Sequence, residues 1–422
     1  MNKSTIYSVI FITIMMCQCS DKERTNPLDP RNPDTSGKVT GVRIYSEFDT
    51  IVLSWNKVYV NDLLGYNVYR KTPEDSDFIA IERICHDSSV FYESNLEYDK
   101  RYTYRVSAVT TYFESVPSDS VSVIPGPTVV WISDVDLGHI KWISHDIMHE
   151  IGRKNTNGYP WDLVVSIPDR TIWYTDVSWG YVVRVNETWK TYMPEQPYWD
   201  PTDIALDEHK NLIWVANQRG SVIQIHALLE DSLREIVHED FRRPRSLDID
   251  RFSGIAWVAD PDARAVFRIS PYRASVTRLD ETFVRPMKVV LNDVDGTIWV
   301  ADSSRVVRLG TNERIESVIE GPFNFAFALD IDIEKETVWV VDFSLMGQES
   351  KIYKFSFDGI KEFELGGFNF PRNVIVNHYD HSCIVADSDA GEIIKIAEDG
   401  TIIGRNNDFL YPVGIFLEYE RD

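Results

Sequence analysis

The stretch Arg285–Leu309, RPMKVVLNDVDGTIWVADSSRVVRL, decides the reading of the chain because it holds one complete structural unit with its punctuation. Val289-Val290-Leu291 is a short apolar run of strand character, and Asn292-Asp293-Val294-Asp295-Gly296 supplies the turn residues that reverse it. Thr297-Ile298-Trp299-Val300-Ala301 is a second β-prone run. Asp302 ends it with a short carboxylate suited to accept backbone amides of the next turn, and Val306-Val307-Arg308-Leu309 makes a third strand.

The unit recurs. Trp173, Trp214, Trp257, Trp299 and Trp339 stand in one register at intervals of 41, 43, 42 and 40 residues. Trp131 lies 42 residues before Trp173, and Ile384 takes the same slot 45 after Trp339. A period near forty, with three visible strands and room for a fourth, argues a β-propeller, in which each blade buries its faces only against its neighbours. The fold class is therefore all-β with seven repeats, six blades being the alternative. The indoles read as packing groups, and the acids that follow them (Asp134, Asp176, Asp260, Asp302, Asp342 and Asp387, with Asn217 in the remaining place) read as turn caps rather than metal ligands. No cofactor or metal is expected.

Composition sets outer bounds. The 422 residues are 43% hydrophobic and 26% charged, as in an ordinary folded protein, and the formal net charge is −23. That surface repels phosphate backbones and anionic lipid, so nucleic acid is not an expected partner.

Residues 1–19 read as a targeting segment: Lys3 precedes an 11-residue apolar core, Ile6–Met16, too short to span a bilayer comfortably. Cys17 and Cys19 follow, then polar Ser20-Asp21-Lys22-Glu23, and this resembles a bacterial lipoprotein signal cut before a lipidated cysteine. Cys19 is the favoured acceptor, with Cys17 the alternative. The resemblance implies a protein carried across the inner membrane and held at the cell envelope, on the outer membrane or cell surface, touching lipid only through its anchor. Residues 20–37, rich in Pro, Asp and Asn, read as an extended tether. Cys85 and Cys383 are the other two cysteines, and both read as small core residues rather than a disulfide.

Residues 38–124 change pattern to seven short strands, as in a sandwich. Ile51, Leu53 and Trp55 alternate toward one face, as do Tyr66 and Val68. With Trp55 on the second strand and Leu96 followed by Tyr102, Val106 and Ala108, the stretch resembles a fibronectin type III domain, which implies a spacer. Pro125-Gly126-Pro127 marks its end.

Residues 128–422 carry the repeats. Pro160, Pro201, Pro244, Pro286, Pro371 and Pro412 open the first strand of their units, with Asn324 at the corresponding place of the sixth. The order Pro-x-x, apolar strand, Asp/Asn turn, Trp-Val-Ala-Asp resembles NHL-type propeller repeats and the wider group containing streptogramin lyases. NHL propellers usually have six blades; here the chain ends supply a seventh. Tyr411–Leu417 repeats the opening strand without a Trp strand after it, whereas Val129–Ile143 has that second strand and no opening one, so each end completes the other.

Hairpin order places the Pro-x-x segments and the post-Trp turns on one face, and turns such as Glu208–Lys210 and His378–His381 on the other. Beside the prolines the residues vary: Trp161, Asp162, Thr202, Asp203, Arg245, Ser246, Met287, Lys288, Phe325, Arg372 and Asn373. Variation inside a regular repeat points to recognition. Trp161, Asp162, Asp203, Arg245, Lys288, Arg372 and Asn373 are the candidate ligand-binding residues, with the cations suited to an anionic group. The expected function is an extracytoplasmic, monomeric binding or scaffold protein with a protein or glycan ligand. The alternative is a propeller enzyme. A lyase of the streptogramin type would require histidine at the mouth, where only His139 falls in a turn of that face, and a glycosidase would use Asp162 with Asp203 as its carboxylate pair.

Overall fold

The computed structural model describes residues 25–167, 170–186, 189–192, 200–226, 233–237, 240–270, 275–344 and 349–420. Cys17 and Cys19 lie outside these. Every regular element among the described residues is a strand. The chain divides into two compact units: the described part of Met1–Arg43 with Leu53–Phe91 and Thr103–Ser122, and Ile44–Val52 with Tyr92–Tyr102 and the described part of Val123–Asp422.

Seven strands precede the repeats: β1 (Arg43–Glu47), β2 (Thr50–Ser54), β3 (Leu63–Lys71), β4 (Ile79–Cys85), β5 (Val90–Glu93), β6 (Tyr102–Thr110) and β7 (Val121–Val123). They form a three-stranded sheet, β1-β2-β5, and a four-stranded one, β4-β3-β6-β7. Ile51, Leu53, Trp55, Tyr66 and Val68 are buried, as their alternation predicts. The Trp55 and Tyr66 rings meet edge to face at 5.2 Å, and the Tyr66 hydroxyl accepts the Val58 amide at 2.8 Å. Tyr102 accepts the Glu97 amide at 3.1 Å, a tyrosine hydroxyl reaching back to the backbone just upstream of its strand.

Two expectations need correction. Residues 25–37 are turns rather than an extended segment, because short polar side chains capture the backbone locally. Asn26 Oδ1 accepts the Leu28 amide at 2.9 Å, Asn32 Oδ1 accepts the Asp34 amide at 2.9 Å, and Thr35 Oγ1 donates to the Pro27 carbonyl at 2.6 Å, leaving Leu28 buried. Cys85 is exposed rather than a core residue, since it ends β4 at the edge of its sheet; Cys383 is buried.

From Thr128 each repeat folds as one four-stranded antiparallel sheet, seven among the described residues. Each begins with an inner strand: Pro160–Ser166, Pro201–Asp207, Ser246–Ile249, Pro286–Leu291, Ala326–Asp332, Pro371–Val376 and Pro412–Tyr419. The last joins the sheet of Thr128–Asp134, pairing Phe416 with Trp131, so the two ends of the repeat region complete one sheet. Glu418 on that strand is buried and accepts the Trp131 indole N–H at 2.8 Å. Neighbouring inner strands touch in order, and Pro412–Tyr419 touches both Pro371–Val376 and Pro160–Ser166, which closes the ring.

The core lies between sheets rather than within one. Trp299, Ala301 and Val306 of one sheet, for example, pack on Leu329, Ile331, Val338 and Val340 of the next. All six repeat tryptophans are buried, and truncating such a residue costs roughly 3–5 kcal/mol. The repeated acids tie down the chain entering their own sheet more than the turn that follows them. Asp302 accepts the amides of Val284 and Arg285, Asp387 those of Asn369 and Phe370, and Asp134 those of Leu410 and Tyr411. Asp176 alone of these acts only on the following turn, through the Ser178 and Trp179 amides.

Candidate functional site

In a regular strand consecutive side chains point to opposite faces. Six of the seven inner strands break that rule just after their opening residue, where the pairing register shifts: after Pro160, Pro201, Pro286, Ala326, Pro371 and Pro412. The proline has no amide to give the ladder, and the irregularity turns two successive side chains toward one place. Repeated around the ring, this makes a cavity of about 60 Å³ lined by Trp161, Asp162, Thr202, Asp203, Arg245, Ser246, Met287, Lys288, Phe327, Ala328, Arg372, Asn373 and Val413.

All seven candidate residues fall in this lining. One neighbour was placed wrongly by the sequence register: Ala326, not Asn324, pairs with the post-Trp acid Asp342 as Pro286 pairs with Asp302. The inner strand Ala326–Asp332 thus starts two residues later, and Phe327 rather than Phe325 reaches the cavity. Val413 and Ala328 were missed because small apolar residues carry no signal of their own.

The acidic part of the lining binds the ring together. Asp162 accepts the Ile204 amide of the next inner strand at 3.1 Å, and Asp203 accepts the Leu247 amide of the one after at 2.8 Å. Deeper along the channel, Asp248 does the same for Leu291 at 2.8 Å and Asp330 for Val376 at 2.7 Å. Burial, reinforced by the adjacent Asp203 charge, pushes the Asp162 carboxyl well above the ordinary carboxylate range. Burial acts on Asp203 too, but Lys288, whose Nζ lies 3.3 Å away, the hydrogen bond from Asp162 and the Leu247 amide together hold it below its usual value. Burial thus favours the neutral form at Asp162, and Lys288 is matched to the ionised Asp203.

The cationic part is not matched. Arg245 stacks on Phe327 at 4.2 Å, and among the described residues it makes no ion pair. Burial, and then the repulsion of Arg372, lowers its guanidinium to about 10. Arg372 lies 4.1 Å from the Phe370 ring and 4.9 Å from that of Trp161, and it donates through Nη2 to the Tyr411 hydroxyl at 2.8 Å. It too has no carboxylate partner among the described residues, and its Nε is buried without an acceptor. Asn373 spends its Oδ1 on the Val374 amide at 2.9 Å.

No family model matches this sequence, and no curated protein matches it. Solved structures do. A functionally unknown protein from Desulfotomaculum acetoxidans is 14% identical with a TM-score of 0.56, over 69% of this chain and 99% of that one. A streptogramin B lyase is 14% identical with a TM-score of 0.51, over 60% and 86%. Virginiamycin B lyase from Staphylococcus aureus is 13% identical with a TM-score of 0.52, over 62% and 91%. The repeat region is a β-propeller.

At these identities the likeness extends to the fold alone. Among the described residues no histidine lines the propeller mouth, and His139 lies outside it. Among the described residues of the propeller, no three His, Cys, Asp or Glu side chains gather as metal ligands. What the mouth offers is two guanidiniums without counter-ions, a lysine already neutralised, and an aromatic wall behind them.

Proposed function

We propose that this chain is an extracytoplasmic, lipid-anchored binding or scaffold protein whose propeller mouth recognises an anionic group on a protein or glycan ligand. One observation carries the reading. Arg245 and Arg372 converge on one cavity, and neither has a carboxylate partner among the described residues. Two like charges held together away from bulk water raise the free energy of the empty site, and an anion arriving there removes that cost. Rings stacked on both guanidiniums hold their planes in place, so little side-chain entropy is lost on binding.

An enzymatic role is less well supported. Asp162 and Asp203 each hold a backbone amide of the next strand, and Asp203 is also paired with Lys288, structural roles that do not match a glycosidase pair free to act on a substrate between them. The lyase reading lacks a histidine in the lining.

The preceding strands serve in this reading as a fibronectin type III spacer, supported by the three-plus-four arrangement of strands and by the Tyr102 bond to Glu97. Anchoring rests on the apolar core Ile6–Met16 ahead of Cys19. Mass spectrometry of the mature amino terminus tests it, and an unmodified start well beyond Cys19 excludes it. The binding role is tested by replacing Arg245 and Arg372 together with Ala, then measuring thermal unfolding and retention of ligands from envelope extracts and glycan arrays. Ligands bound by the native chain should be lost from a variant that still folds; retention of all of them refutes the reading.

A further inference from the structure

We infer that the group taken by the mouth is a doubly charged tetrahedral oxyanion, presented as a phosphate monoester rather than as a carboxylate. The inference rests on the anion-binding reading above and narrows it to one chemistry.

Charge is the first argument. Lys288 is matched to Asp203 at 3.3 Å and burial favours the neutral form of Asp162, so Arg245 and Arg372 have no carboxylate partner among the described residues of the lining. A single carboxylate neutralises one of them. A phosphate monoester, whose second ionisation lies near pH 6, neutralises both at neutral pH.

Geometry is the second. Aromatic rings lie against both guanidiniums, Phe327 at 4.2 Å from Arg245 and Phe370 and Trp161 at 4.1 and 4.9 Å from Arg372. A ring supplies no carboxylate or carbonyl acceptor, so the planar N–H forks are left to meet a ligand. Arg372 gives one N–H to Tyr411 and keeps a buried Nε with no acceptor. The two side chains come from inner strands three repeats apart and so approach from different directions. A planar carboxylate has two oxygens and satisfies one fork; the three terminal oxygens of a phosphate monoester can meet both.

Overall charge is the third. With a net charge of −23 on the whole chain, a lone phosphate is also tolerated better than a polyanion, which the surface repels along its length.

The test is calorimetry on the purified full-length chain at constant ionic strength, with glycerol phosphate, inorganic phosphate, sulfate and acetate as probes. Glycerol phosphate and sulfate should bind at least tenfold more tightly than acetate, and glycerol phosphate no more weakly than inorganic phosphate if an ester is the form recognised. Between pH 7.5 and 5.5 the affinity for glycerol phosphate should fall while that for sulfate does not. The double change Arg245→Lys and Arg372→Lys keeps both charges but removes the forks; with unchanged near-ultraviolet circular dichroism it should lose at least tenfold in glycerol phosphate affinity. Acetate binding as tightly as glycerol phosphate, or tight binding that survives the lysine changes, overturns the inference. If no probe binds but extract or glycan ligands still depend on Arg245 and Arg372, the tetrahedral assignment is wrong and the broader reading stands. If neither depends on the arginines, both fall.

Discussion

Asp162 and Asp203, 41 residues apart and at the same position of neighbouring repeats, each accept the backbone amide of the next inner strand, Ile204 at 3.1 Å and Leu247 at 2.8 Å. Their local sequences do not distinguish them, yet Asp162 is driven toward the neutral form and Asp203 toward the ion because only Asp203 has Lys288 within 3.3 Å. Identical residues thus acquire different chemistry from what the ring brings beside them.

Replacing Asp162 by Asn should leave stability at pH 7 unchanged or raised by about 1 kcal/mol, since an amide keeps a neutral acceptor for Ile204 and a donor for Asp203. Replacing Asp203 by Asn should cost roughly 3–5 kcal/mol, toward the lower end because the Lys288 side chain keeps 24% exposure. The Asp203 contribution is present above the ordinary carboxylate value and is lost as pH falls through its lowered one. Urea unfolding of both variants at pH 7 reads the contrast, and equal losses would contradict the neutral Asp162 and ionised Asp203.

Asp248 gives a pH dependence of opposite sign. Burial raises its carboxyl to about 6, so the folded state prefers the neutral form, and its ionisation opposes folding progressively from the ordinary value near 4 up to about pH 6. The loss is at most about 3 kcal/mol. In Asp248→Asn that part of the pH–stability curve should flatten, with the variant gaining on the native chain above pH 6. Parallel curves from pH 4 to 7 would show that Asp248 is not the titrating group.

Gly414 sits where the ring closes. A methyl group there would lie 2.8 Å from both the Asp162 Cα and the Trp161 carbonyl oxygen, and its amide donates to Ser133 Oγ at 2.8 Å. Backbone on both sides cannot yield cheaply, so Gly414→Ala should destabilise by roughly 1–3 kcal/mol. It should also shift Trp161 fluorescence by disturbing the mouth. A neutral change in melting temperature would mean the closing strand is looser than its contacts imply.

Deleting Tyr411–Asp422 removes the strand that pairs with Thr128–Asp134 and separates two inner strands it now bridges. Unpaired backbone groups then appear on a new edge, and Trp131 loses its Glu418 acceptor. The expected result is loss of cooperative thermal unfolding together with aggregation, measured by calorimetry and light scattering. A truncated chain that melts as sharply as the native one would disprove closure through this strand.

The sequence by itself determined the all-β class, the repeat and the candidate mouth. Trp173 to Trp339 recur at nearly constant spacing because every sheet must bury the same indole against its neighbour, and one dimension is enough to see that. The residues beside the prolines stood out because they vary where the rest of the repeat is regular. What they touch is settled only in the folded ring. The two-residue offset of the inner strand Ala326–Asp332, which brings Phe327 instead of Phe325 to the cavity, depends on pairing with Asp342. Local sequence likewise could not show that residues 25–37 wind into turns or that Cys85 ends an edge strand. Above all, the partition of charge, with Lys288 spent on Asp203 and Arg245 and Arg372 left to aromatic rings, arises where strands some forty residues apart converge. Coulomb and stacking energies depend on distance in space, and closing the ring is what sets those distances.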